Sequence, residues 1–165
     1  MSRTPSSLRI GLVTARFNDI VTSRLLEGAR GLLVRRGVEA SNIEVVEVPG
    51  AFELPLAAQW LLTHGKCDGV VALGAVIRGS TSHYDYVCSG VTSGLMNVQL
   101  AQGAPVGFGV LTCDTMEQAF DRAGGKLGNK GAECAETVLE MCLQKSTLVE
   151  KFAANQSNSS KAGGK

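Results

Sequence analysis

Proton transfer near neutral pH needs a side chain that titrates there, and this sequence has two histidines, His64 and His83. His83 stands in the segment Arg78-Gly-Ser-Thr-Ser-His-Tyr-Asp85. Just ahead of it, Gly79, Ser80 and Thr81 offer backbone N–H groups and hydroxyls where a helix begins. That arrangement is either a phosphate cradle, built from a nest and a helix N-terminus, or an ordinary capped helix start. Arg78 could join the cradle or remain a solvated charge. Beside a phosphate cradle the His83 imidazole suits general acid/base work; without one it is a loop histidine bonded to a carbonyl. His64 lies near the end of a helical stretch and reads as a surface residue favoured by the helix dipole.

Aromatic residues make up 5% of the chain, so phenylalanines beside polar partners are informative. Phe17 precedes Asn18 in A-R-F-N, and Phe52 precedes Glu53 in V-P-G-A-F-E. The two rings could stack on a flat heterocycle, with Glu53 accepting ring or hydroxyl hydrogens. The alternative is that both rings plug the core and Glu53 caps a helix. Trp60 falls within a helical stretch and reads as packing. The segment Arg122-Ala-Gly-Gly-Lys-Leu-Gly-Asn-Lys130 sets three basic residues around flexible backbone. It is either an anion-binding segment or a plain connector between helices.

These side chains need elements to hold them. Short branched, apolar runs at residues 8–13, 43–48, 69–73 and 106–111 predict strands. Between them, Val21, Leu25, Leu26, Ala29, Leu32 and Leu33 share one helical face, with Asp19 as N-cap and Gly37 as the stop. Further helices are predicted over 52–63, 84–101 (loosened by Gly90 and Gly94), 115–123 and about 130–145. Asp114 and Glu117 supply a capping box for the fourth. Strands alternating with helices give right-handed β-α-β units. The predicted fold is a flavodoxin-like three-layer α/β sandwich, a four-stranded parallel sheet in order 2-1-3-4 flanked by helices. Each candidate segment follows a strand, except the basic one near residue 122. In open parallel sheets ligands bind outside the carboxyl ends of the strands, so these loops should converge on one rim.

The length of 165 residues fits one domain, expected over residues 8–152 after a short arm, 1–7. The tail, 153–165, lacks large apolar residues and is predicted to be disordered. Apolar residues make up 44% and charged residues 19%, with a net charge of +1. That balance describes a soluble globular chain and argues against an electrostatic binder of nucleic acid or membrane. No apolar run reaches a membrane span and no signal core is present, so the expected location is cytoplasmic. Five cysteines without a C-x-x-C pair make neither a disulfide framework nor a zinc site. Cys134 and Cys142 share a helix face and read as small core residues.

Nucleotide and hydrolase signatures are absent: there is no G-x-x-x-x-G-K-[ST], no strand–G-x-G-x-x-G–helix and no G-x-S-x-G. Taken together and in order, A-R-F-N, V-P-G-A-F-E-L-P, G-A-V-I-R-G-S-T-S-H-Y-D, F-G-V-L-T, E-Q-A-F-D-R-A-G and K-L-G-N-K-G resemble the 6,7-dimethyl-8-ribityllumazine synthase family. The resemblance covers roughly residues 8–143. It implies a transferase of riboflavin biosynthesis that condenses 5-amino-6-(D-ribitylamino)uracil with 3,4-dihydroxy-2-butanone 4-phosphate, without metal or organic cofactor.

By position, the resemblance implies that Phe17 stacks on the pyrimidine and that Ala51, Phe52 and Glu53 line the ring and ribityl pocket. Ala75, Val76 and Ile77 would contact the pyrimidine through their backbone. Ser80 and Thr81 would hold the phosphate, with Arg122 completing that site and Lys130 nearby. His83 matches the proton-transfer residue, and Phe108 an aromatic lent by an adjacent subunit. The implied partners are small-molecule substrates and further copies of the chain, as a pentamer or a sixty-subunit icosahedral shell. Riboflavin synthase is a further implied associate; nucleic acid and membrane are not. Two other readings stay open. A flavin-binding module would not need His83 or the phosphate segment, and a purely structural shell subunit would not need the rim residues.

Overall fold

The computed structural model describes residues 3–162, with side chains through residue 156. In chain order the elements are β1 (Ile10–Ala15), α1 (Asp19–Arg35), β2 (Ile43–Val48), α2 (Leu54–Thr63), β3 (Gly69–Ile77), α3 (His83–Gln102), β4 (Val106–Cys113), α4 (Met116–Arg122), β5 (Ala123–Gly125), β6 (Gly128–Asn129) and α5 (Lys130–Ala162). The four long strands form one parallel sheet in the order β2-β1-β3-β4, as the alternating pattern predicts. β5 and β6 form a small antiparallel hairpin where the sequence suggested an irregular connector.

The central strands β1 and β3 are covered on both faces, which is why their sequences are apolar apart from the buried Thr14. β2 lies at an edge, and Glu44 and Glu47 face solvent from it. On one face of the sheet, Leu12, Leu73 and Leu111 pack against Leu25 and Leu33 of α1 and Val138 and Leu139 of α5. On the other, Val13, Val70 and Val110 pack against Leu54 and Leu61 of α2 and Val91 and Leu95 of α3. Among the described residues no helix is long and apolar enough to cross a membrane.

Several boundaries differ from the sequence reading. β3 and β4 run on to Ile77 and Cys113, because they stay in register from Val70 opposite Val106 to Ile77 opposite Cys113. Ala75, Val76 and Ile77 are therefore strand residues, not loop residues. Asn18, not Asp19, is the N-cap of α1, in a left-handed conformation (φ 63°, ψ 44°). Gly37 does end that helix: its N–H reaches the Val34 carbonyl (3.0 Å), and the Val38 N–H reaches Leu33 (3.0 Å). The cap of α4 sits one residue later than predicted. Thr115 Oγ1 accepts from the Gln118 N–H (3.2 Å), and Gln118 Oε1 accepts from the Asp114 N–H (2.9 Å).

α5 continues past residue 145, through Leu148, Val149 and Phe152, which stay exposed along it. Of the tail predicted to be disordered, residues 153–162 extend this helix and 163–165 lie outside the described residues. Trp60 is not a packing residue in this chain. It is 54% exposed, while Leu54, Ala57, Ala58 and Leu61 form the inward face of α2. Cys134 and Cys142 do turn toward the sheet, and burial pushes both thiols up to about 12, leaving them protonated at neutral pH.

The start of α5 crosses α1 at backbone contact. A Cβ on Gly131 would lie 2.1 Å from the Leu25 carbonyl oxygen and 2.7 Å from its carbon. In an open helix, replacing glycine by alanine helps by about 1 kcal/mol. Here the clash is with main chain and cannot be relieved by a rotamer. Gly131→Ala should therefore destabilise the fold by about 3 kcal/mol, seen as a lower urea midpoint; equal or greater stability would mean that the helices do not cross this closely.

Candidate functional site

The loops after the strands are bound to one another by a continuation of the parallel ladder. Past β1, the Arg16 N–H donates to the Val48 carbonyl (2.8 Å) and the Phe17 N–H to Pro49 (3.1 Å). Asn18 turns the chain and donates from Nδ2 to the Ala75 carbonyl (2.8 Å). Past β3, the Arg78 N–H donates to the Cys113 carbonyl (2.9 Å). The four strand ends are thus joined across the whole rim.

Above this rim is a cleft of about 830 Å³. Of the residues singled out from sequence, it is lined by Phe17, Ala51, Phe52, Glu53, Ala75, Val76, Ile77, Thr81 and His83. Phe17 is 72% exposed and Phe52 63% exposed, so neither ring plugs the core. Phe52 rests against α3 at Gly90, where a Cβ would come within 2.5 Å of the ring. Gly90, which looked like a loosening of the helix, is the place where an aromatic wall of the cleft is seated. Glu53 occupies the N-cap position of α2 but makes no side-chain cap bond.

His83 is the first residue of α3, exposed at the cleft. Its N–H donates to Thr81 Oγ1 (3.3 Å). Gly79 and Thr81 line the cleft and Ser80 does not. Arg78 is neither a cradle residue nor a free charge. Its Nε donates to Asp114 (2.8 Å) and its Nη1 to Asp85 (3.4 Å), and its guanidinium lies 4.2 Å from the centroid of the Tyr84 ring. The hydrogen bond to Asp114 holds it all the more firmly protonated.

The remaining candidates are not brought to this cleft. Arg122 ends α4 and donates to its own helix at the Gln118 carbonyl (3.0 Å). Lys130 opens α5 and pairs with Glu133 (2.6 Å). Phe108 stands on the free edge strand, 46% exposed, on the face shared with Val106 and Val110. As a result, the described residues lining the cleft include the acidic Glu53 but no lysine or arginine.

The cleft also holds residues that the sequence reading passed over: Pro49 and Gly50, and from α3 Tyr84, Tyr86 and Val87. Helical spacing from His83 was the usable signal, since Tyr86 and Val87 lie three and four residues on and share its face. Burial, ahead of its contact with Cys88, pushes the Tyr84 phenol up. Among the described residues no group of three or more His, Cys, Asp or Glu side chains could hold a metal ion.

Residues 7–146 match the family model of 6,7-dimethyl-8-ribityllumazine synthase. The chain is 58% identical over 135 residues to the 6,7-dimethyl-8-ribityllumazine synthase of Lactiplantibacillus plantarum, covering 82% of this chain and 85% of that protein. It is 55% identical over 136 residues to the enzyme of the same name from Pediococcus pentosaceus, covering 82% and 87%. The chain belongs to the 6,7-dimethyl-8-ribityllumazine synthase family. Lumazine synthases are transferases, and that is the class of enzyme to which this chain belongs.

Asn18 carries two burdens in this lumazine synthase fold, a left-handed turn and the tie to β3. Asn18→Gly loses only the hydrogen bond, costing about 1 kcal/mol. Asn18→Ala loses it too and keeps a Cβ in the left-handed region without the short polar side chain that lets asparagine tolerate it, adding about 1 kcal/mol. Chemical denaturation should rank wild type above Asn18→Gly above Asn18→Ala; alanine matching or exceeding glycine would contradict the turn.

Proposed function

We propose that the rim cleft is one half of the lumazine synthase active site and that a neighbouring subunit supplies the other half. The reaction condenses 5-amino-6-(D-ribitylamino)uracil with 3,4-dihydroxy-2-butanone 4-phosphate. One substrate is a flat ring with a polyol chain, and the other carries a phosphate. The cleft offers two exposed aromatic walls, strand backbone at Ala75–Ile77 and a carboxylate at Glu53, which suit the ring and the ribityl chain. The observation that carries the reading is the missing cation: a phosphate in this cleft would face Glu53 with no lysine or arginine among the described lining residues.

Arg122, Lys130 and Phe108 stand elsewhere on the surface of the same chain, where a heterologous interface would carry them to the next copy's cleft. In this reading Ser80 and Thr81 of one subunit and Arg122 and Lys130 of the next share the phosphate. Phe17 stacks on the pyrimidine, and Phe108 of the next subunit closes over it. A contact of this kind closes into a ring where the rotation permits, and the ring is proposed here as a pentamer. Assembly of such rings into an icosahedral shell, association with riboflavin synthase and a cytoplasmic location extend the same reading.

The chemistry needs proton transfers more than electrophilic force. The uracil's free amine attacks the ketone, and the carbinolamine loses water to give an imine. Loss of the neighbouring C–H proton gives an enol that expels phosphate, and the enol left behind ketonises to a new carbonyl. The ribityl-bearing nitrogen attacks that carbonyl to close the ring with loss of a second water. His83 can pass protons at these steps, and no step calls for a metal or organic cofactor. Arg122 stabilises charge on the departing phosphate. Much of the rate comes from holding both reactants together.

Mixing the protein with both substrates should yield the fluorescent lumazine and free phosphate; no product would overturn the assignment. In the same assay His83→Ala should slow turnover by about ten- to a thousandfold, because alignment of the reactants survives. Unchanged turnover would remove His83 from the mechanism.

Sharing of the site makes a separate expectation. When Arg122→Ala and Phe17→Ala proteins exchange subunits, some interfaces pair an intact Arg122 with an intact Phe17. Activity should then rise above either parent. No rise despite demonstrated exchange, or full activity in a monomer by light scattering, would refute a shared site.

A further inference from the structure

We propose that Arg78 is a positioning residue for His83: held by Asp114 at the end of β4 and by Asp85 in the first turn of α3, and stacked on Tyr84, it sets where α3 begins and so where His83 meets the cleft. The proposal rests on the reading of His83 as the proton-transfer residue.

The link from β3 to α3 is short and has few other restraints. Ser82, the N-cap residue of α3, makes no side-chain cap bond. Within the link, the Thr81 hydroxyl accepts one long hydrogen bond, from the His83 N–H at 3.3 Å. Arg78 is anchored independently of the helix. Its N–H belongs to the rim ladder through the Cys113 carbonyl (2.9 Å), and its Nε is bonded to Asp114 (2.8 Å). Asp114 is fixed in turn, since its N–H donates to Gln118 Oε1 (2.9 Å) in the cap of α4. From this fixed base the guanidinium reaches the two residues that follow His83, by its face to Tyr84 (4.2 Å) and by Nη1 to Asp85 (3.4 Å).

Exposed ion pairs of this kind contribute little to stability. Small misplacement of a reacting group, in contrast, costs rate steeply. Removing Arg78 should thus be felt in turnover before it is felt in folding. A lysine cannot reproduce the arrangement, because one ammonium cannot bind two carboxylates and lie flat on a ring at once. Neither of the simpler roles for Arg78 fits, since its guanidinium is paired with two carboxylates and Arg78 does not line the cleft.

The test is a double-mutant cycle with the purified full-length enzyme, measuring kcat and KM for both substrates. Arg78→Gln should lower kcat by about tenfold. Its KM for the ribitylaminouracil and its thermal midpoint should stay near wild type. In a His83→Ala background the same substitution should cost less than about twofold, because its effect passes through His83. Arg78→Lys should lose nearly as much as Arg78→Gln. Asp114→Asn, which keeps the side-chain shape, should change kcat in the same direction and stands in if Arg78→Gln does not fold.

An equal loss in both backgrounds, no loss at all, or full activity with lysine would overturn the proposal. Unchanged turnover in His83→Ala overturns the His83 reading and this proposal with it. A slowed His83→Ala beside an unaffected Arg78→Gln overturns the positioning role alone.

Discussion

The cleft exists because hydrogen bonding does not stop where the strands stop. Main-chain bonds from Arg16 and Phe17 reach the end of β2 and Pro49 just beyond it, the Asn18 side chain reaches β3, and the Arg78 main chain reaches β4. A parallel sheet leaves its carboxyl rim as a row of loops that would otherwise move independently. Here each loop is bonded to the end of an adjacent strand, so Phe17, Ala75–Ile77 and the start of α3 form one surface. The left-handed turn at Asn18 is the point of greatest dependence, since a single residue both reverses the chain and makes the bond.

Close backbone approach is the second constraint, and it explains why particular glycines stand where they do. At Gly131 main chain meets main chain, which fixes α5 against α1 and with it the position of Lys130. At Gly90 a helix gives up a side chain so that the Phe52 ring can lie against it. One glycine serves the core and the other serves the site. Each would be a weak point in an isolated helix, and each is stable only because another element occupies the vacated space.

The electrostatics of the single chain are divided rather than balanced at one place. Glu53 faces the cleft, while Arg78 is held by Asp85 and Asp114, Lys130 by Glu133, and Arg122 by its own helix end. In the proposed function this surface takes the ring substrate within one chain and the phosphate at a boundary between chains. Phe108, exposed on the free edge of the sheet, fits the same division.

Much of this was readable from the residues themselves. The four-stranded order followed from alternating periodicities, because parallel crossovers permit few arrangements. The converging segments followed from their positions after strands, and Phe17, Phe52, Thr81 and His83 do meet at one cleft. Other features are set by pairs of elements that local sequence does not join. β3 and β4 prolong one another through mutual pairing, carrying Ala75–Ile77 out of the loop. Arg78 was ambiguous because its partners Asp85 and Asp114 come from two different elements. Tyr84 and Tyr86 entered the cleft through the facing of α3, and Trp60 stayed exposed although its helix is apolar. Local sequence determined which elements form and which ends carry the chemistry, since periodicity and turn chemistry act over a few residues. Only the tertiary structure decided which charges pair with one another and which cations stay away from the cleft, because electrostatic pairing depends on distances between segments far apart in the chain.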